Sequence, residues 1–193
     1  LALRGVVDVI TGADWAELGF GVIPTNSAVK ENADGTPIAV PERPCLAANR
    51  VRFVGEPVAM VIAETVDAAR EARDLVEVDY VPLEAVTHPV KTLEPDAPQL
   101  HDDIDGNLCV HWELGNGEAT EAELKACDHV VSLELHNNRV IAAPFEPRGT
   151  LAVPDIETGI TTIYQATQNI HALRAAMANI LNLKNDQLRH VAP

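Results

Sequence analysis

The chain has 193 residues with a formal net charge of −15, 47% hydrophobic residues and only 4% aromatic ones. A chain of this length holds one ordinary domain, or one small domain and part of another, and its aliphatic content is enough for a packed core, which argues against disorder. The negative balance argues against nucleic acid as a partner, because binding to a phosphate backbone depends on Lys and Arg displacing counterions.

Cys45, Cys109 and Cys127 are widely spaced, with neither a Cys-x-x-Cys pair nor zinc-type spacing, and they read as reduced thiols of a cytoplasmic protein. No apolar run is long enough for a membrane-spanning helix. The sequence opens without Met directly into a strand pattern and ends on Leu188-Arg189-His190-Val191-Ala192-Pro193, itself strand-like, so both ends are expected to be cuts within a longer protein.

In chain order, Val6 to Ile10 is a β-branched run suited to a strand, and Thr11-Gly12-Ala13-Asp14 has the capping pattern that starts a short helix through Leu18. From Gly19 to Pro44 the periodicity vanishes and Pro and Asn-Gly type residues mark a long surface excursion. Val51 to Val54 is expected to be a strand broken by Gly55-Glu56-Pro57, with a buried strand following over Val58 to Ala63. Thr65 caps a helix whose Ala68, Ala69, Ala72, Leu75 and Val76 form one small-residue stripe, and Glu77 to Val81 alternates as a further strand, which makes a βαβ-like unit.

Residues 87–116 carry Pro89, Pro95, Pro98 and the acidic turn Asp102-Asp103-Ile104-Asp105-Gly106, the composition of an inter-domain crossing. Beyond it the pattern predicts a helix over Ala119 to Ala126 and a strand over Val130 to Leu135. A hairpin follows, from Thr150 to Val153, through a turn at Asp155 to Gly159, into Ile160 to Tyr164. The last helix, Ile170 to Leu181, places Leu173, Ala176, Met177, Ile180 and Leu181 on one face and Arg174, Ala178 and Asn182 on the other.

Chemistry is sparse in these patterns. The seven histidines form no His-x-His, His-Glu-x-x-His or helical pair, and His129 with His136, the nearest pairing, makes poor zinc ligands, so no metal site is expected. Neither a nucleophile elbow nor a phosphate loop is present. Two segments stand out, Gly55-Glu56-Pro57 and Pro144-Phe145-Glu146-Pro147-Arg148-Gly149. As stiff turns they need no function, since Pro fixes φ and Gly accepts positive φ; as rigid supports they could hold Glu146 and Arg148 at a site wall.

Val51-Arg52-Phe53-Val54-Gly55-Glu56-Pro57-Val58-Ala59, Ala63-Glu64-Thr65, and Val76-Glu77-Val78-Asp79-Tyr80-Val81-Pro82-Leu83-Glu84-Ala85-Val86 together resemble the a/b hammerhead domain of the molybdenum hydroxylase large subunit. This is the family of xanthine dehydrogenase, aldehyde oxidase and the large chain of carbon monoxide dehydrogenase. Ala126-Cys127-Asp128-His129-Val130-Val131, Asn138-Arg139, the Pro144 to Gly149 segment and Thr167-Gln168-Asn169-Ile170-His171 resemble the start of that family's cofactor-binding domain. The resemblance implies an α+β chain with a hammerhead domain over residues 1–86, a crossing over 87–116 and the first part of a molybdopterin-binding domain over 117–193.

It further implies an oxidoreductase that hydroxylates an aldehyde or N-heteroaromatic substrate with oxygen from water, or oxidises carbon monoxide. The cofactor would be a molybdenum-pterin group, with electrons leaving to iron-sulfur clusters and FAD on partner subunits or domains. Gln168 would lie close to the cofactor, and Val140, Glu146 and Arg148 would line the substrate site. The family's Gly-Gly-Gly-Phe-Gly stretch and its glutamate base would fall beyond Pro193, so no catalytic residue is expected within residues 1–193 and the piece alone would be inactive. Val140 stands six residues before Glu146, where xanthine and carbon monoxide dehydrogenases carry a glutamine, and valine cannot donate that hydrogen bond. The Asn138-Arg139 and Pro144 to Gly149 version of the motif is similar to the branch that holds dehydrogenases for N-heteroaromatic compounds together with many proteins labelled carbon monoxide dehydrogenase large chain, so the substrate stays open. The rival reading is a non-catalytic acidic module that binds a protein partner through its surface and its Pro-rich crossing.

Overall fold

The computed structural model describes residues 3–138, 140, 141, 143 and 145–192, so Arg139 and Pro144 of the two motifs and the terminal Pro193 lie outside the described residues. Strand β1 (Val6–Thr11) runs antiparallel to β2 (Ala59–Ala63). Between them in sequence, helix α1 (Gly12–Glu17) opens with the expected capping box: the Thr11 hydroxyl accepts from the Asp14 N–H, and the Asp14 carboxylate accepts from the Thr11 N–H at 2.8 Å. Gly12 is dictated by space, because a Cβ there would lie 2.6 Å from the backbone of Ala47.

Helix α2 (Val66–Asp74) is capped by Thr65 and lies against the β1/β2 pair, with Ala72 buried and Ala68 and Ala69 partly covered, as the small-residue stripe requires. Several expectations do not hold in this half. Val51 to Val54 is a turn and not a strand: the Glu56 carboxylate captures the Arg52 N–H at 2.6 Å, and Gly55 takes φ +91°. Strand β2 is half exposed, since nothing among the described residues covers its outer face. Glu77 to Val81 joins no ladder, so the βαβ reading gives way to an antiparallel pair followed by a helix.

Residues 19–57 and 87–116 hold one another. Ala33 N–H donates to His111 O at 2.7 Å, Ala39 N–H to Cys109 O at 2.9 Å, and Arg52 Nε to Leu100 O at 2.9 Å, while Arg50 pairs with Asp102 at 2.9 Å. Asn107 ties the second stretch together: its amide donates to Thr92 O and Pro98 O, and its Oδ1 accepts from Leu100 N–H at 2.8 Å.

Helix α3 (Gly117–Ala126) forms where expected, with Asn116 as its cap. The predicted strand over Val130 to Leu135 does not form: the segment joins no ladder and is exposed. A three-stranded sheet of order β3-β4-β5 follows, from β3 (Leu151–Asp155), β4 (Ile160–Tyr164) and β5 (Leu188–Val191). The β3/β4 hairpin is antiparallel with Asp155 paired to Ile160. Its turn is fastened by the Asp155 carboxylate, which accepts from the Glu157 and Thr158 N–H groups, and by Gly159 at φ +70°. Hydrogen bonds from Thr158 and Glu157 hold the Asp155 carboxyl below the usual carboxylate range.

Strand β5 runs parallel to β4, and helix α4 (Ile170–Ile180) makes the connection. The core of this half is Ile163 of β4, Ala178 of α4 and Leu188 of β5, with Met177 packed beside them. Ala178 therefore belongs to the buried face of α4 and not to its outer one, because the helix meets the sheet over a stripe wider than a single apolar row.

Candidate functional site at the ends of the parallel strands

Strands β4 and β5 point the same way, so their carboxyl ends, Tyr164 and Val191, sit side by side, and Gln165 N–H donates to Val191 O at 3.1 Å. The chain leaving β4 turns through residues 165–169 into α4, whose first turn therefore stands near the same edge of the sheet. Asn169 caps α4 by accepting from Ala172 N–H at 3.0 Å, and the Thr167 hydroxyl accepts from Asn169 N–H at 3.3 Å. Gln168 falls at the bend between them with its side chain exposed. Carboxyl ends of parallel strands beside a helix N-terminus form a recurring place for ligands, since backbone N–H groups and the positive end of the helix dipole are both available there.

One feature of this region escaped the sequence reading. His190 in β5 has both ring nitrogens enclosed without a hydrogen-bond partner, as does Nε of Arg174 in α4. Burial pushes the His190 pKa down from its ordinary 6.5, and the Arg174 charge pushes the same way. The imidazole is neutral at pH 7 in consequence. The signal was available: alternation along β5 puts His190 on the same face as the buried Leu188.

The other predicted residues sit apart from this edge. Val140, Glu146 and Arg148 are exposed and lie in segments outside any ladder, and no hydrogen bond between described residues joins them to one another or to Gln168. His136 has His88 as its ring neighbour, 6.4 Å between centroids. Among the described residues, no group of three or more His, Cys, Asp or Glu side chains is placed to hold a metal ion.

Residues 1–84 match the family model for the aldehyde oxidase and xanthine dehydrogenase a/b hammerhead domain, and residues 100–193 match the model for the molybdopterin cofactor-binding domain. The chain belongs to the molybdenum hydroxylase large-subunit family. Its relatives in this family include a probable xanthine dehydrogenase component from Bacillus subtilis, 34% identical over 80% of this chain and 20% of the relative. The carbon monoxide dehydrogenase large chain of Afipia carboxidovorans is 32% identical over all of this chain and 24% of the relative. The nicotinate dehydrogenase large molybdopterin subunit of Eubacterium barkeri is 33% identical over 79% of this chain and 35% of the relative.

Solved members superpose on the whole chain. Carbon monoxide dehydrogenase from Oligotropha carboxidovorans gives a TM-score of 0.83 at 30% identity, covering 24% of that chain. Quinoline 2-oxidoreductase from Pseudomonas putida 86 gives 0.83 at 30% identity over 23% of that chain. The present chain thus spans about a fifth to a third of the length of the molybdenum hydroxylase subunits it matches. The fold is α+β, a hammerhead domain followed by molybdopterin-binding structure.

Proposed function

We propose that these residues are the first part of a molybdenum hydroxylase large subunit that hydroxylates an aldehyde or an N-heteroaromatic compound. Electrons would pass to iron-sulfur and FAD centres on partner subunits or domains. The observation that carries the reading is the succession, in one chain, of a hammerhead match and a molybdopterin-binding match. The domain limits proposed are 1–86 and 117–193, with 87–116 as the crossing.

When bound, the molybdenum-pterin group supplies oxygen insertion from water into a C–H bond. The donor set of this chain suits a pterin edge better than a bare metal: Gln168 offers an amide that both donates and accepts, at the mouth made by β4, β5 and α4. Gln168 is accordingly the residue proposed to touch the cofactor. Glu146 and Arg148 would line the substrate site as an acceptor and a planar donor, with Val140 giving an apolar wall where a glutamine would have offered a hydrogen bond. An apolar wall favours an aromatic ring over carbon monoxide, and quinoline and nicotinate enzymes stand among the relatives. No catalytic residue is assigned within residues 1–193, and the isolated piece is proposed to be inactive.

The test uses the complete subunit with its partners. Gln168→Ala should lower molybdenum and pterin content, whereas Arg148→Ala should keep the cofactor and lower kcat/KM on the preferred substrate by about tenfold or more, roughly the loss of one charge-assisted hydrogen bond. Full cofactor content in the first variant and unchanged kinetics in the second would remove both assignments. Turnover by the 193-residue chain alone would overturn the inactivity.

A further inference from the structure

The last carbonyls of a helix have no partner within it and must be satisfied from outside. At the end of α4 three of them are closed by the chain that follows: Met177 O accepts from Leu181 N–H at 2.9 Å, Ala178 O from Leu183 N–H at 2.8 Å and Asn179 O from Asn182 N–H at 3.4 Å. The remaining one, Ile180 O, accepts from Gly21 N–H at 2.7 Å, and Gly21 belongs to the hammerhead half of the chain. Beside it the Asn182 amide donates to Gly19 O. A Cβ on Gly21 would stand 3.3 Å from Ile180 Cα and 3.4 Å from Asn179 O, so the approach needs glycine. Behind the contact, Trp15 Nε1 holds Gly21 O at 2.9 Å while the Trp15 ring packs on Phe20 with 4.8 Å between centroids.

Packing along α4 supplies less restraint. The helix meets the core of its sheet through Ala178 and Met177, one small and one flexible side chain, and such a face interlocks little against movement along the helix axis. The hydrogen-bonded end is what fixes its axial position. With 11 residues α4 spans about 16 Å as one rigid body, so a displacement at Ile180 reaches Asn169 and the adjoining Gln168. Gln165 stays tied to Val191 O on the sheet, and a shift of α4 therefore strains the turn between them and opens the Asn169 cap.

We propose that Gly21 and Asn182 are positioning residues: through α4 they set where Gln168 stands, so that the hammerhead half governs how well the other half retains the molybdenum-pterin group. This rests on the reading of Gln168 as the residue that touches the cofactor. Gly21 has no side chain to offer and the Asn182 amide is occupied by Gly19 O, so both act only through the helix.

Variants of the complete subunit with its partners test this, read by the rate of molybdenum release and by hydrogen–deuterium exchange. Asn182→Asp keeps a residue that tolerates the left-handed backbone but loses the donor, and Gly21→Ala keeps the N–H but presses on Ile180. Thr65→Ala removes the cap of α2, lowers stability in the same half without touching α4, and serves as the control. The expected result is molybdenum release and exchange at the Ala172 and Leu173 amides each about tenfold faster in the first two variants, and unchanged in the control. Wild-type release from both variants overturns the proposal, as does equal release from Thr65→Ala, which would make the loss one of general stability. Gln168→Ala in the same assay separates the two readings: full retention there sinks the role given to Gln168, whereas loss there with retention in the Gly21 and Asn182 variants sinks the positioning alone.

Discussion

Gly21 N–H donates to Ile180 O at 2.7 Å, a direct backbone link between the turn after α1 and the end of α4. Trp15 Nε1 donates to Gly21 O at 2.9 Å, and the Asn182 side chain donates to Gly19 O, so both sides of the link are braced. Asn182 also carries φ 54°, a left-handed conformation that Asn tolerates better than Ala. Asn182→Ala should cost about 2 kcal/mol, from the lost hydrogen bond and the backbone conformation together. Asn182→Gly should recover the backbone part alone, and thermal melts of the three proteins would rank them wild type, Gly, Ala.

The centre of the second half is small, so single side chains there matter. Ile163 is 2% exposed and touches Ala178 and Leu188. Ile163→Ala is expected to destabilise this half by roughly 2–5 kcal/mol through lost burial and a cavity, and Ala178→Leu by roughly 1–3 kcal/mol through overpacking. Urea titrations followed by exchange at β4 and β5 would check both, and a neutral Ala178→Leu would contradict its buried position.

His190 gives the C-terminal sheet a pH dependence with a definite sign. Its pKa in the folded chain lies below the ordinary 6.5, because burial and the Arg174 charge disfavour the imidazolium. The unfolded chain therefore binds the proton more readily, and stability present above pH 6.5 is lost as the pH falls toward the folded value. Stability curves between about pH 5 and pH 7.5 should show the decline in the wild type and a weaker one in His190→Gln. Parallel curves for both would remove His190 as its source.

Two glycines separate crowding from conformation. Gly12 faces the Ala47 backbone at 2.6 Å, where nothing flexible can yield, and Gly12→Ala should be destabilising by about 1–3 kcal/mol through displacement of that stretch. Gly35 has open space around it but φ +82°, and Gly35→Ala should cost only about 1 kcal/mol. Equal effects would contradict the close approach of α1 to residue 47.

What the sequence made legible was local. Thr11 with Asp14, Thr65, and the Asp155 to Gly159 turn each announced their structure, because capping and turn hydrogen bonds involve residues within a few positions of one another. Strand pairing was less legible. Val51 to Val54, Glu77 to Val81 and Val130 to Leu135 have strand composition, yet a ladder also needs a neighbour, and composition does not encode where the neighbour comes from. At the candidate site, Gln168 was found through motif resemblance, whereas the enclosed Nε of Arg174 was missed because the helical wheel set Arg174 on the outer face, and the enclosed nitrogens of His190 because their enclosure comes from packing between β5 and α4. The mutual bracing of residues 19–57 and 87–116 was invisible too, since it runs through the Asn32 amide, the Arg52 guanidinium and loop carbonyls without periodicity.

The parallel pairing of β4 and β5 through α4 also bears on the order of folding. The β4/β5 register and the α4 crossover close within residues 160–191, so little loop entropy opposes them, and the edge beside Gln168 can assemble from nearby chain. The edge that carries Tyr164, Val191 and the first turn of α4 therefore takes its register from neighbouring chain and not from a distant strand.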